Sequence, residues 1–328
     1  MSNTRFPSRV GGKANLLERV PLWALQPIAA RQARITPLGR QPGWRFDLPE
    51  LDLSPDTTFR RELWSAFRDD GVRRTITVRW YDGLKVRLYL GNDLSYCLFV
   101  GGSYEPNEFA FLAAVLRPGM TVVDGGANDG LYSLFASSRV GHEGRVIAFE
   151  PSERELDRLR ANIRLNRLDN VEVRAAALGS SPGNAELAIA VAGHEGQNTI
   201  GARVSNQNVP TRSRENVVVE TIDSLTEQYR LERLDVVKLD VEGCELQVID
   251  GARAALARFK PLLLVEVEPE RLASHGVSRG ELLETIGSLD YRLFVFDEQT
   301  AQLRPPRSPA EACGNVIAAP PSWEPPAL

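Results

Sequence analysis

The residues best suited to chemistry fall in two groups. In the first, Asp124-Gly125-Gly126-Ala127-Asn128-Asp129-Gly130 follows the short apolar run Thr121-Val122-Val123 and leads into a helix-like stretch from Leu131. Glycines at such a strand-to-helix turn let the backbone bend sharply and let a ligand approach the main chain. The helix N-terminus beyond the turn presents free N–H groups and the positive end of a dipole. Glu150 closes the next apolar run, Arg145-Val146-Ile147-Ala148-Phe149, 26 positions after Asp124. A carboxylate there is placed to accept hydrogen bonds from both hydroxyls of a ribose. Either signal alone has a structural explanation, in tight strand–helix packing or a solvated strand end; together they point to a nucleotide-like ligand.

The second group is Lys238, Asp240 and Glu242 at the end of Leu234-Asp235-Val236-Val237-Lys238-Leu239-Asp240, with Glu266 and Glu268 closing the following apolar run. In open α/β sheets ligands bind beyond the carboxyl ends of the strands. Charged groups clustered there are costly to bury without partners or a substrate. Lys238 and Asp240 could equally form a structural ion pair. Glu245, in a first helical turn, could serve the helix dipole, and Glu268, beside Pro269, reads as a solvated loop residue.

The turn chemistry narrows the ligand. A dinucleotide brings a pyrophosphate and usually a GxGxxG turn; here Gly126 and Gly130 stand four apart, and Asp124 sits at the strand end. A carboxylate there repels a pyrophosphate and suits a ligand carrying an ammonium and a sulfonium, which favours S-adenosylmethionine. The expected cofactor-binding residues are Asp124, Gly126, Asn128, Gly130 and Glu150, to which the resemblance set out next adds Ala177.

With these residues set out, the chain resembles the class I methyltransferases in Asp124–Gly130 and in Ala148-Phe149-Glu150-Pro151, and more narrowly the FkbM family. Further marks are Tyr104-Glu105-Pro106, Asn162-Ile163-Arg164-Leu165-Asn166, Ala177-Leu178-Gly179-Ser180, Glu220-Thr221-Ile222-Asp223-Ser224-Leu225 and Val237-Lys238-Leu239-Asp240-Val241-Glu242-Gly243-Cys244-Glu245. The resemblance runs from about residue 74 to 297 and is strongest over 105–268. Gly125 departs from it, where the family usually carries a larger apolar residue. The resemblance implies O-methylation of a hydroxyl on a sugar, glycolipid or secondary metabolite, with S-adenosyl-L-methionine as methyl donor. Methyl transfer from a sulfonium is an in-line displacement that needs a positioned acceptor and, for a hydroxyl, a proton acceptor. Asp240, Glu242 and Glu266, with Lys238 beside them, are the unranked candidates. Clustered carboxylates suit Mg²⁺, but no ligand spacing demands a metal. His142 and His275 are expected to be solvated; His194 lies in a polar stretch, 194–215, long enough for a binding loop.

The elements that must position these groups follow from periodicity. Short β-branched apolar runs at 121–124, 144–150, 171–175, 216–220, 235–240, 261–267 and 291–296 alternate with helix-like stretches at 106–116, 131–139, 153–166, 243–259 and 279–289. This is the pattern of an α/β fold, a doubly wound, mostly parallel seven-stranded Rossmann-like sheet. Ahead of it, period-two runs at 75–80 and 85–90 flank Tyr81-Asp82-Gly83-Leu84 as a hairpin, with a third strand expected at 94–100. The chain thus divides into an N-terminal extension (1–70) with a short helix near 59–68, a small β attachment (71–104), the methyltransferase domain (105–297) and a Pro-rich extended tail (298–328).

Composition sets the outer bounds. The chain has 328 residues, formal net charge −4 and three scattered cysteines without CxxC spacing. The acidic balance gives no basic field toward nucleic acid, and the cysteines form neither a disulfide framework nor a zinc site. No stretch nears the ~20 apolar residues that span a bilayer. A cytoplasmic enzyme acting on a small-molecule or glycan acceptor, without nucleic acid, is the expectation; an NAD-dependent oxidoreductase and a non-catalytic S-adenosylmethionine-binding protein are the alternatives.

Overall fold

A computed structural model describes residues 61–65, 74–101, 104–201, 209–297 and 300–328. Five parallel strands form the centre: β3 (Thr121–Gly125), β4 (Arg145–Phe149), β5 (Val171–Arg174), β10 (Val236–Leu239) and β11 (Leu262–Val267), ordered β11-β10-β3-β4-β5. Every residue of β3 and β10 is buried, as expected for strands covered by helices on both faces. α2 (Pro106–Val115) leads into β3, α3 (Leu131–Val140) connects β3 to β4, and α4 (Glu153–Asn166) connects β4 to β5.

The other edge corrects the sequence reading. β12 (Arg292–Phe296) does not pair with β11; β14 (Gly314–Ala319) lies between them, antiparallel to both, and β13 (Leu303–Arg304) adds the outermost strand. The sheet therefore has eight strands and is mixed. The expected extended tail is in part an inner strand, with Val316, Ile317, Ala318 and Ala319 all buried. Prolines on both sides hide this run in the sequence, because Pro cannot donate to a ladder but can flank one.

The expected strand at 216–220 is the end of β9 (Thr211–Glu220), which belongs to a separate four-stranded sheet, β6-β9-β7-β8, with β6 (Ala176–Leu178), β7 (Gly183–Ala190) and β8 (Thr199–Ile200). Within the polar stretch 194–215, Thr199–Ile200 form β8 and Thr211 begins β9, both antiparallel to β7; residues 202–208 lie outside the described ones.

At the amino-terminal side β1 (Thr75–Arg79) and β2 (Lys85–Tyr89) form the hairpin. Residues 94–100 are not a strand but α1 (Asp93–Tyr96) followed by a wide helical turn, Cys97–Gly101. Asn92 starts this helix by accepting a bond from the Ser95 N–H at 2.9 Å, an N-cap the alternation count overlooked. The hairpin is no loose appendage. Asn162 and Asn166, one turn apart on α4, bind the Arg87 N–H (2.9 Å) and Lys85 N–H (2.7 Å), pairing the exposed edge of β2. Its Trp80 and Tyr81 pack on Phe109 and Phe135 of the main domain, so one core runs through both. The expected helix near 59–68 falls partly outside the described residues; 61–65 are helical, with Leu63 and Trp64 buried.

Candidate active site

A cleft opens beyond the carboxyl ends of β3, β4 and β10, with about 810 Å³ of empty space, its mouth included. That is within the range of ligand pockets. Gly126, Asn128, Glu150 and Ala177 line it, together with Lys238, Asp240 and Glu242. Tyr104, Tyr132 and the loop residues Gly196, Asn198, Thr199 and Ile200 complete the wall. Asp124, Gly130 and Glu266 do not line the cleft; they stand behind it.

On the β4 side Glu150 is fixed by the backbone. Its Oε2 accepts from the Asn128 N–H at 2.8 Å and its Oε1 from the Ser152 N–H at 2.9 Å. Each oxygen keeps a second acceptor position, which is what two neighbouring hydroxyls require. Burial, then the nearby Glu155, pushes its carboxyl up to about 8, against the pull of the two N–H groups. Beside it the Asn128 Oδ1 is buried with no hydrogen-bond partner.

The glycines also serve packing. At Gly126 (φ +74°) a Cβ would fall 1.8 Å from the Asp240 carbonyl oxygen, and at Gly130 (φ +93°) 2.5 Å from Leu159 Cδ1. The missing side chains make room for the neighbouring loop and helix, and Gly126 also borders the cleft. Gly125 is explained likewise: a Cβ there would meet Leu178 and Leu239 at 3.0 and 3.1 Å.

Asp124 is a pillar. It is 1% exposed, accepts from Ser133 Oγ at 2.6 Å and lies 3.5 Å from Lys238 Nζ. Its Oδ1 has no hydrogen-bond partner, and Lys238 is the cation nearest it. Lys238 Nζ also donates to the Gly126 carbonyl at 2.9 Å and sits 3.5 Å from Asp240 and 4.9 Å from the centre of the Tyr132 ring. Burial works against its charge, but Asp240 and Asp124 outweigh burial and raise its pKa above the ordinary lysine value. The lysine thus ties the β3 turn to the end of β10.

On the acceptor side Asp240 is a quarter exposed to the cleft. Burial opposes its ionisation, yet Lys238 and then Arg271 hold its carboxyl below the usual range. Glu266 moves the other way: burial and then Asp240 push its carboxyl well above the usual range, against the pull of Arg271. Glu242 has a left-handed backbone (φ 57°) and pairs with Arg271 at 3.0 Å; Thr199 Oγ1 donates to its carbonyl at 2.7 Å. Glu245 accepts from the Val241 and Gly243 N–H groups at 3.1 and 3.2 Å, which closes the turn between β10 and α6 (Glu245–Asp250).

Two histidines depart from expectation or acquire partners. His275 is not solvated; it lies half-buried, 3.0 Å from Thr199 Oγ1 and 3.6 Å from Cys244 Sγ. His194 does not line the cleft; its Nδ1 is 2.7 Å from Asp93, fastening the 191–201 loop to α1. Sequence reasoning gave no role to Arg271, Tyr132 or Asn198. Arg271 had no motif around it. Tyr132 stood next to the glycine turn, at the start of its helix, which was the one available signal.

A sequence model described as the methyltransferase FkbM domain matches residues 124–293, more than half of the 328. The chain belongs to the FkbM methyltransferase family. Among curated relatives of this family member, "Methyltransferase sdnD" of Sordaria araneosa is 29% identical over 40% of the chain and 59% of the relative. "Methyltransferase 1" of Beauveria bassiana is 27% identical over 40% and 57%. The alignment with "AMB antimetabolite synthetase AmbE" of Pseudomonas aeruginosa, at 31% identity, covers 48% of the chain and 9% of that protein. The chain thus spans less than two thirds of the curated relatives it matches. Among solved structures, the methyltransferase FkbM of Methylobacillus flagellatus KT aligns at 17% identity, TM-score 0.39, over 69% of this chain and 55% of that one. An S-adenosylmethionine-dependent O-methyltransferase of Thermotoga maritima aligns at 17%, TM-score 0.39, over 80% and 82%. No helix among the described residues is long and apolar enough to cross a membrane.

Proposed function

We propose that this methyltransferase uses S-adenosylmethionine bound in the cleft and methylates a hydroxyl of a small-molecule or glycan acceptor. The carrying observation is Glu150, a carboxylate at the end of β4 fixed by two backbone N–H groups with an acceptor position left on each oxygen. The partnerless Asn128 Oδ1 in the same wall is a second group suited to a polar ligand. S-adenosylmethionine, when bound, supplies an electrophilic methyl group on a sulfonium. The chain's part is to hold the ribose through Glu150 and to place the acceptor against Asp240.

Of the three candidate bases Asp240 is the best supported. It faces the cleft, with Lys238 and Arg271 holding its carboxyl below the usual range, whereas Glu242 and Glu266 are both engaged by Arg271 and Glu266 does not line the cleft. A hydroxyl oriented by Asp240 gives up its proton to that carboxylate as the new O–CH₃ bond forms and the S–CH₃ bond breaks. A pKa below the usual range makes Asp240 a weak base, so orientation is the larger part of its contribution.

The test is transfer of a labelled methyl group to a panel of glycosides and hydroxylated metabolites, with the product linkage read by NMR. O-methyl products, and a kcat about 10²-fold lower in Asp240→Asn with S-adenosylhomocysteine affinity unchanged, are expected. Label on nitrogen or carbon, or full activity of the variant, contradicts the reading.

A further inference from the structure

Asp240, Glu242 and Glu266 each place one oxygen within 4.8 Å of the other two. Three carboxylates at that spacing are a donor set that hard divalent cations use. A different cation already serves them. Arg271, on α8 (Pro269–Ser274), directs Nε to Glu242 Oε2 at 3.0 Å and donates through Nη1 to Glu266 Oε2. A planar guanidinium can bridge two carboxylates in this way, which an ammonium cannot do with the same geometry.

The arm that carries the guanidinium is itself anchored. The turn after β10 passes so close to α8 that a Cβ on Gly243 would fall 2.6 Å from the Arg271 carbonyl oxygen. Glycine at 243, with φ +102°, is therefore what lets the Glu242 turn and the Arg271 backbone meet. The Glu242 carbonyl is held from the other side by Thr199 Oγ1 at 2.7 Å. Both ends of the pair are located by the fold before the side chains meet.

We propose that Arg271 is a positioning residue that stands in place of a metal ion, holding Glu242 and Glu266 beside Asp240 and keeping divalent cations out. A cation entering the cluster would meet the guanidinium at close range and compete for the same oxygens. Removal of the guanidinium should turn the cluster into a divalent-cation site. The proposal rests on the methyltransferase reading for the meaning of Asp240, but the geometry it invokes is independent of the acceptor.

The experiment is titration of Mn²⁺, followed by the paramagnetic signal of the free ion, into wild type, Arg271→Ala, Arg271→Gln, Arg271→Lys and the double variant Arg271→Ala/Glu242→Gln. Wild type and Arg271→Lys should bind Mn²⁺ weakly. Arg271→Ala or Arg271→Gln should bind at least about tenfold more tightly, an affinity change of about 1.4 kcal/mol. The gain should vanish in the double variant, and Mn²⁺ should restore the thermal stability lost in the single one. An arginine with only a structural role would leave the variants destabilised with no gain in Mn²⁺ affinity, and that result overturns the proposal. Tight, stoichiometric Mn²⁺ binding by the wild type overturns it too, and that result needs no folded variant. S-adenosylhomocysteine titration of the same wild-type sample reports separately on the methyltransferase reading: its failure removes that reading and leaves the Mn²⁺ result standing.

Discussion

Glu150 offers a prediction with two independent readouts. Each of its oxygens already accepts one backbone N–H, at 2.8 and 2.9 Å, and is left with one position for a ribose hydroxyl. A hydrogen bond to a charged group contributes about 1.5–3 kcal/mol net. Two of them, taken at the lower figure, give about 3 kcal/mol, or about 10² in affinity. Glu150→Gln keeps the volume but must turn an NH₂ toward a backbone N–H, so S-adenosylhomocysteine should bind about 10²-fold more weakly. The second readout is pH. With the carboxyl pushed up to about 8 in the free protein, it holds its proton at neutral pH, and accepting from both hydroxyls requires losing it. Binding then releases a proton below about pH 8. The affinity should rise with pH toward that value, by at most about tenfold per unit, and level off above it. Calorimetry in buffers of different ionisation enthalpy should show the released proton in wild type and not in Glu150→Gln. Affinity within threefold of wild type in the variant, or a flat wild-type profile between pH 6 and 8, would refute this reasoning.

Three further outcomes follow from packing. Gly126→Ala places a methyl 1.8 Å from the Asp240 carbonyl at φ +74°; it should lower unfolding free energy by more than about 2 kcal/mol in urea and abolish S-adenosylhomocysteine binding. Asn162→Ala leaves the Arg87 N–H without its partner at 2.9 Å and should lower stability by about 1–3 kcal/mol, with hydrogen exchange at Arg87 accelerated. A chain ending at Cys313 lacks β14 and leaves β11 and β12 unpaired along facing edges; it should be recovered as aggregate, and a soluble, cooperatively melting product would contradict the assigned role of that strand.

What the sequence revealed and what it hid have separable physical causes. β3, β4, β10 and β11 are short, largely buried apolar runs, and such runs stand out from their polar flanks. The glycine turn and Glu150 were legible because a turn and a strand end impose residue types locally. The packing roles of Gly126 and Gly130 were hidden because what fills their missing Cβ space, the Asp240 carbonyl and Leu159, comes from distant parts of the chain. The pairing of Asp124 was hidden for the same reason, since its cation arrives from β10, 114 positions on, at Lys238. β14 escaped because its apolar run of four, Val316–Ala319, sits among prolines, and the first half of β9 escaped because Arg212, Ser213 and Arg214 are all exposed and give no alternation. Arg271 left no trace: its importance lies in the two carboxylates it meets, and neither is near it in a pattern that helix spacing would reveal. Asn162 and Asn166 were seen as a family mark without a reason, and the backbone of β2 supplies one.

The most direct test is a crystal structure of the protein with S-adenosylhomocysteine. The account predicts the ligand in the cleft beyond β3, β4 and β10, both ribose hydroxyls within hydrogen-bond distance of the Glu150 carboxylate, and the sulfur turned toward Asp240. A ligand bound elsewhere, or a ribose in the cleft that leaves Glu150 untouched, would contradict it.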